Sequence, residues 1–333
     1  MTTLPLTAAE VLAKYRNGES LSNLDITGLD LAGQDLAGAD FTGSTLARAV
    51  FRKANLTKAS LQNAILTEAD FTGADLAEAM MGGAQAMSAR FVRTRLTQAD
   101  LSQVNFTAAD FTEADLTGAV LAGAVFAKAR LVDAKAVKVD APQAVFTGAD
   151  LTDADFTEAV LTGADLTSTS LSYTTFLKAK ADGTRFCGAR GEKTTFGQTS
   201  LKGSRADRET TIIDGRFNMV NLASAHWEGA KLPRAQLVAA VLDNADFSGA
   251  DLTGSIMLTT SAKETNFQEA NLSEANLTGI NLGKGSLRKA DLTRADLKMA
   301  NLSGVDFYEA KRVKTNLADA NIEGTLLAVS PEV

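Results

Sequence analysis

Ala39-Asp40-Phe41-Thr42-Gly43 returns as Ala69-Asp70-Phe71-Thr72-Gly73, as Ala154-Asp155-Phe156-Thr157-Glu158 and as Ala270-Asn271-Leu272-Ser273-Glu274. Each copy is an alanine, an acid or amide, a large apolar residue and two small or polar residues. With the large residue as centre, the frame runs every five residues from Ile26 to Ala206, which is 37 centres. A second frame, displaced by one, runs from Ile212 to Leu327 and adds 24. All but eight of the 61 are Leu, Phe, Ile, Met or Trp.

A period of five fits neither the 3.6 of a helix nor the 2.0 of a strand, so the centres cannot share one face of either element. The chain must turn every five residues. Four short sides and four corners close a coil of about 20 residues, with the centre pointing inward and the alanine two positions earlier beside it. Successive coils then pair through their backbones, which satisfies the polar groups of each side.

The phrase resembles the A(D/N)LXX motif of the pentapeptide-repeat family. The resemblance implies an all-β, right-handed quadrilateral β-helix, here of about 15 coils and roughly 70 Å long at about 4.8 Å per stacked strand. It covers some nine tenths of the chain. The expected organisation is an N-terminal cap over 1–25, a first-frame β-helix over 26–206, a frame-shift bulge over 207–211, a second-frame β-helix over 212–327 and a tail over 328–333.

Positions 20 apart become vertical neighbours. Phe51, Phe71, Phe91 and Phe111 form one core column and Phe106, Phe126 and Phe146 another, the latter resuming as Trp227, Phe247, Phe267, Leu287 and Phe307. Just before the centres, Asp70, Arg90, Asp110, Arg130 and Asp150 alternate in sign, as do Asp75, Arg95, Asp115, Lys135 and Asp155. These read as stabilising ladders of facing opposite charges. Charge is also uneven along the chain. Asp140, Asp150, Asp153, Asp155, Glu158 and Asp165 share a stretch without Lys or Arg, whereas Arg185, Arg190, Lys193, Lys202, Arg205, Arg208 and Arg216 cluster in the next. The two sets are candidate partner surfaces, because such potentials steer association.

The exceptions are informative. Ala86, Ala136, Ala141, Ala181, Gly191, Ala206 and Ala262 are small centres that neighbouring side chains must compensate, and Arg312 at a centre needs a partner or an exit to solvent. The extra residue near Ala206-Asp207-Arg208-Glu209-Thr210-Thr211 reads as a bulged corner. Thr7 and Glu10 have capping-box spacing, and Asn17-Gly18 forms a stop, so a short helix over 8–16 covers the first coil with Val11, Leu12 and Tyr15. At the other end Leu326 to Pro331 closes the stack or meets a second copy, as an open coil edge invites pairing.

One histidine, His226, and one cysteine, Cys187, build neither a Cys/His metal cluster nor a relay needing a second histidine. A filled coil offers little concavity for catalysis. No catalytic residue, metal or cofactor is expected. The net charge of −7 argues against a basic grip on nucleic acid. With no basic-then-apolar leader and no run of 18 apolar residues, the expectation is a cytoplasmic protein, or one exported without a Sec signal. Its function reads as binding: a scaffold presenting flat faces to a protein partner, as a monomer or an end-to-end dimer. Two alternatives come from the resemblance. One is a duplex-DNA mimic that binds DNA gyrase and alters quinolone sensitivity. The other is an accessory factor of bacterial type VI secretion, whose associated modules open like Leu6 to Leu21 here.

Overall fold

A computed structural model describes residues 6–328; of the expected tail only Ala328 falls among them, and residues 1–5 also lie outside. The chain divides into two compact units, Met1–Asp165 and Leu166–Val333. Both are built from one local element.

Phe41 illustrates it. The N–H of Ser44 donates to the Phe41 carbonyl at 3.0 Å, closing a β-turn whose third residue, Gly43, has φ +67°. Positive φ at that place is what a type II turn requires. The same corner elsewhere holds Arg48, Lys53 and Glu78 at φ 57°, 56° and 57°, where an L-residue costs about 1 kcal/mol or more. The corner N–H of Arg48 donates to Thr67 O at 2.9 Å, and Leu46 N donates to Ile65 O at 2.7 Å. Each turn is therefore tied to the next through both its corner and its side.

In both units the residue before the centre forms a parallel bridge with its equivalent in the next turn, as in Asp30 with Val50 and Gln236 with Ile256. The sides are shorter than the sequence suggests. Two of every five residues form the turn and one forms a single-residue bridge, and only β1 (Arg190–Glu192) and β2 (Thr211–Ile213) count as strands among the described residues. The acid or amide of the motif has its own structural cause: Asp70 Oδ1 accepts from Thr72 N at 2.9 Å and from Thr72 Oγ1, and Asn271 Oδ1 accepts likewise from Ser273. This Asx bond fixes the turn that follows.

The centres fill each interior. Phe51, Phe71, Phe91 and Phe111 stack with centroids 4.7–5.1 Å apart, and Phe106 meets Phe91 and Phe111 edge-on. In the second unit Ala206 leaves room that Trp227 takes, its ring reaching Phe186 at 5.9 Å. At Gly191 the space is taken by Thr194 and Leu171, which a Cβ there would strike. At several places where the inner alanine is replaced by Thr, the hydroxyl bonds a centre's carbonyl in the preceding turn. Thr94 donates to Phe71 O at 2.7 Å, and Thr260 to Leu237 O at 2.6 Å. A buried polar group is tolerated because it is paired.

Helix α1, Ala8–Arg16, starts at Thr7, whose hydroxyl accepts from Glu10 N while Glu10 bonds back to Thr7 N. Val11 is fully buried, and Tyr15 donates its hydroxyl to Ala37 O at 2.8 Å. The first turn of repeat type begins at Leu21, one repeat before the pattern becomes regular in sequence. At the far end Arg312 is exposed and Leu317 and Ile322 are half-buried, so the guanidinium at that centre meets solvent.

Candidate functional site

In the first unit the expected acidic residues surround the coil and do not gather on one face. Asp140, Asp150, Asp155 and Asp165 occupy four different bridge columns, while Asp153 and Glu158 stand at exposed corners. Asp150 and Asp155 hold the turns at Thr152 and Thr157, and Glu158 lies 3.6 Å from Lys138. Among the described residues the alternating bridge ladder forms few ion pairs. Within it Arg95 reaches Asp75 at 3.0 Å, but Asp70 takes its cation from Arg52 at 2.6 Å. Burial disfavours the Asp70 carboxylate, and the Thr72 and Arg52 bonds outweigh that, holding its pKa below the ordinary value. Ion pairs between successive turns sit mainly at the corners: Arg93 with Glu113, Arg234 with Asp214 and Arg294 with Glu274.

One corner column carries no charge at all. It reads Asn23, Gly43, Asn63, Gly83, Gln103, Gly123, Gln143, Gly163, alternating amide and glycine at every turn. The Oδ1 atoms of Asn23 and Asn63 lie 2.6 Å from where a Cβ would stand on Gly43 and Gly83. The bridge columns on either side contain Asp25, Asp40, Asp100, Asp140 and Asp165 but no Lys or Arg, and in them Ile65 and Met80 are each 43% exposed. This cation-free side escaped the sequence analysis. Reading the corner residues at intervals of 20 would have found it.

In the second unit the basic residues also divide. Arg185 and Arg205 share a bridge column, Arg190 pairs with Thr211 and Arg216 with Thr195. Lys193 lies over the Tyr173 ring at 5.6 Å, Lys202 is exposed on a turn, and Arg208 is exposed on the inserted corner. The insertion is absorbed locally. Bridges from Thr195, Ser200 and Arg205 reach 21 residues ahead, to Arg216, Asn221 and His226, and from Thr211 onward the spacing is 20 again. Asp207 organises the loop, its Oδ1 accepting from Gly188 N, Glu209 N and Thr210 N at 2.9–3.1 Å. Burial opposes ionisation of that carboxyl, but those bonds prevail and its pKa is lowered.

Beside the insertion lies a groove of about 290 Å³ lined by Cys187, Arg205, Ala206, His226 and Glu228. It brings together the single cysteine and the single histidine. His226 Nδ1 is 3.3 Å from Glu228 Oε1, and no cluster of three metal-ligating side chains occurs among the described residues. No helix among them is long and apolar enough to cross a membrane.

Comparison with known proteins follows the repeat. The family model described as Pentapeptide repeats matches residues 25–140, 144–176, 220–257 and 260–324, well over half of the chain. It leaves unmatched the segment that carries the insertion. Among curated proteins none matches. Solved structures include HetL, a pentapeptide repeat protein involved in heterocyst differentiation regulation from Nostoc sp. strain PCC 7120. It shares 22% identity over 96% of this chain and 97% of its own, with a TM-score of 0.28. Rfr23 from Cyanothece 51142 shares 31% identity over 29% of this chain and 64% of its own, with a TM-score of 0.25. A pentapeptide repeat protein of the Arabidopsis thaliana thylakoid lumen shares 29% over 40% and 71%, with a TM-score of 0.20.

Proposed function

The chain belongs to the pentapeptide-repeat family, and on that premise we propose that it is a non-enzymatic scaffold that presents one face of its first unit to a protein partner. The coil is read as right-handed, with about 15 turns from its 61 centres. The observation that supports the reading is the cation-free side: an uncharged amide and glycine corner flanked by exposed Ile65 and Met80. Elsewhere the corners carry ionic pairs, and desolvating charges disfavours their burial in a contact, whereas exposed apolar side chains add area to one. The interior is filled with side chains and the motif carboxylates are spent on their own turns. The test is binding of partners recovered by cross-linking in the native host. Replacing Ile65 and Met80 together with Lys abolishes a specific complex, and replacing Asp153 and Glu158 with Asn and Gln leaves it intact; the opposite pattern sinks the reading.

A second reading, imitation of duplex DNA toward a gyrase-type enzyme, draws support from the same side, whose only charges are carboxylates. In a supercoiling assay it requires inhibition or drug protection that is lost when Asp100 and Asp140 become Asn. No effect at excess protein removes it.

A further inference from the structure

Arg185 and Arg205 face each other across adjacent turns, and Arg205 in turn faces His226. In every other bridge of the described residues that joins two charged side chains, such as Asp110 with Arg130 or Lys231 with Asp251, the signs are opposite. Facing like charges disfavour a ladder. Around Arg205 and His226 the carboxylates are committed: Asp207 Oδ1 is turned to the N–H groups of the inserted loop, Glu228 bonds His226, and Asp246, facing His226 in the next turn, accepts from Ser248 N and Asn266 Nδ2. The Arg205 guanidinium has no hydrogen-bond or ion-pair partner among the described residues, and it lines a concave surface with His226, Cys187 and Ala206. Arg205 thus stands in a groove beside His226 with its guanidinium free to meet an anion.

We propose that the groove beside the inserted residue binds a phosphate group, held by the Arg205 guanidinium and by His226 with both ring nitrogens protonated, Nδ1 donating to Glu228 and Nε2 to the ligand. Those residues occupy adjacent turns, about 4.8 Å apart at the backbone. One tetrahedral oxyanion bridges donors at that spacing, and the guanidinium fork matches two of its oxygens. A phosphate is favoured over a single carboxylate because it has enough oxygens to accept from both donors at once. The insertion shapes the site: it brings His226 opposite Arg205 and occupies the Asp207 carboxylate in its own loop. This inference is independent of the partner face on the first unit.

Two residues that occur once each in the chain report on it. His226 gives a single set of imidazole resonances in tag-free protein, and Cys187 gives a single alkylation rate. Titration with inorganic phosphate, with O-phosphoserine and with acetate is expected to move the His226 resonances saturably for the phosphates, with half-saturation at about 1 mM or below, and at least tenfold more weakly for acetate. Bound phosphate also slows alkylation of Cys187 several-fold. Tighter binding of phosphoserine assigns the source as a phosphomonoester, and equal binding assigns it as free phosphate. Arg205→Gln should weaken binding at least tenfold while Lys202→Gln does not, with unchanged melting confirming that both fold. Absence of a saturable shift, or wild-type binding by Arg205→Gln, overturns the proposal.

Discussion

Trp227 donates its indole N–H to the hydroxyl of Ser204, 3.0 Å away in the preceding turn, and both side chains are fully buried. Ser204 occupies a place where most turns have alanine, and Ser255 occupies the same place without any partner for its hydroxyl. The two serines therefore respond in opposite directions. Ser204→Ala orphans the indole N–H and lowers unfolding free energy by about 1–3 kcal/mol, whereas Ser255→Ala is neutral or stabilising by up to about 1 kcal/mol. Denaturant melts followed by the single tryptophan measure both.

Asp207→Ala removes the acceptor that closes the inserted loop and should cost about 1–3 kcal/mol. Asp207→Asn keeps one carbonyl oxygen and costs less. The carboxyl is held below its ordinary value in the fold. Its contribution is therefore complete above the unfolded-state value near 4 and lost as pH falls through the lower, folded one. The stability gap between wild type and Asp207→Ala narrows in melts below about pH 4, and a gap independent of pH between 2 and 7 contradicts the assignment.

Asp70 distinguishes the ion pairs that form from those the charge pattern suggests. Arg52→Gln removes the cation at 2.6 Å and is expected to cost about 0.5–1 kcal/mol, reduced by salt. Arg90→Gln, at the position bridged to Asp70, changes stability by less than about 0.5 kcal/mol. Equal losses in a chemical melt would restore the ladder as a set of ion pairs.

Gly215 stands two residues before the centre Phe217, where alanine is the ordinary choice. A Cβ there would lie 2.6 Å from the Phe217 ring and 2.8 Å from Ile212 Cγ2. Gly215→Ala should therefore destabilise by about 1–3 kcal/mol despite matching the repeat more closely. A gain in melting temperature refutes this.

The period of five, the inward centres, the helix at the start and the site of the extra residue were legible because each rests on spacing or on one strong local signal. The surface was less so. The Asp of Ala69-Asp70-Phe71 reads as a charge in sequence, yet its oxygen belongs to the turn at Thr72. Likewise Asn63 and Gly83 look like ordinary corner residues until the 20-residue spacing places one beneath the other. The groove was invisible for a related reason: Cys187, Arg205 and His226 are brought together by a register of 21 that no regular count of the repeat supplies.

That register also bears on how such a chain can change through its history. A single added codon is forgiven within one corner, as the bonds around Asp207 show, and every later bridge returns to its old spacing. Five added codons would instead keep every local bond yet move each downstream residue to the next side of the coil. Lineages are thus free to lengthen by whole circuits of 20 without disturbing an acquired surface. A gain or loss of one repeat scrambles which residues share a side while leaving the fold untouched.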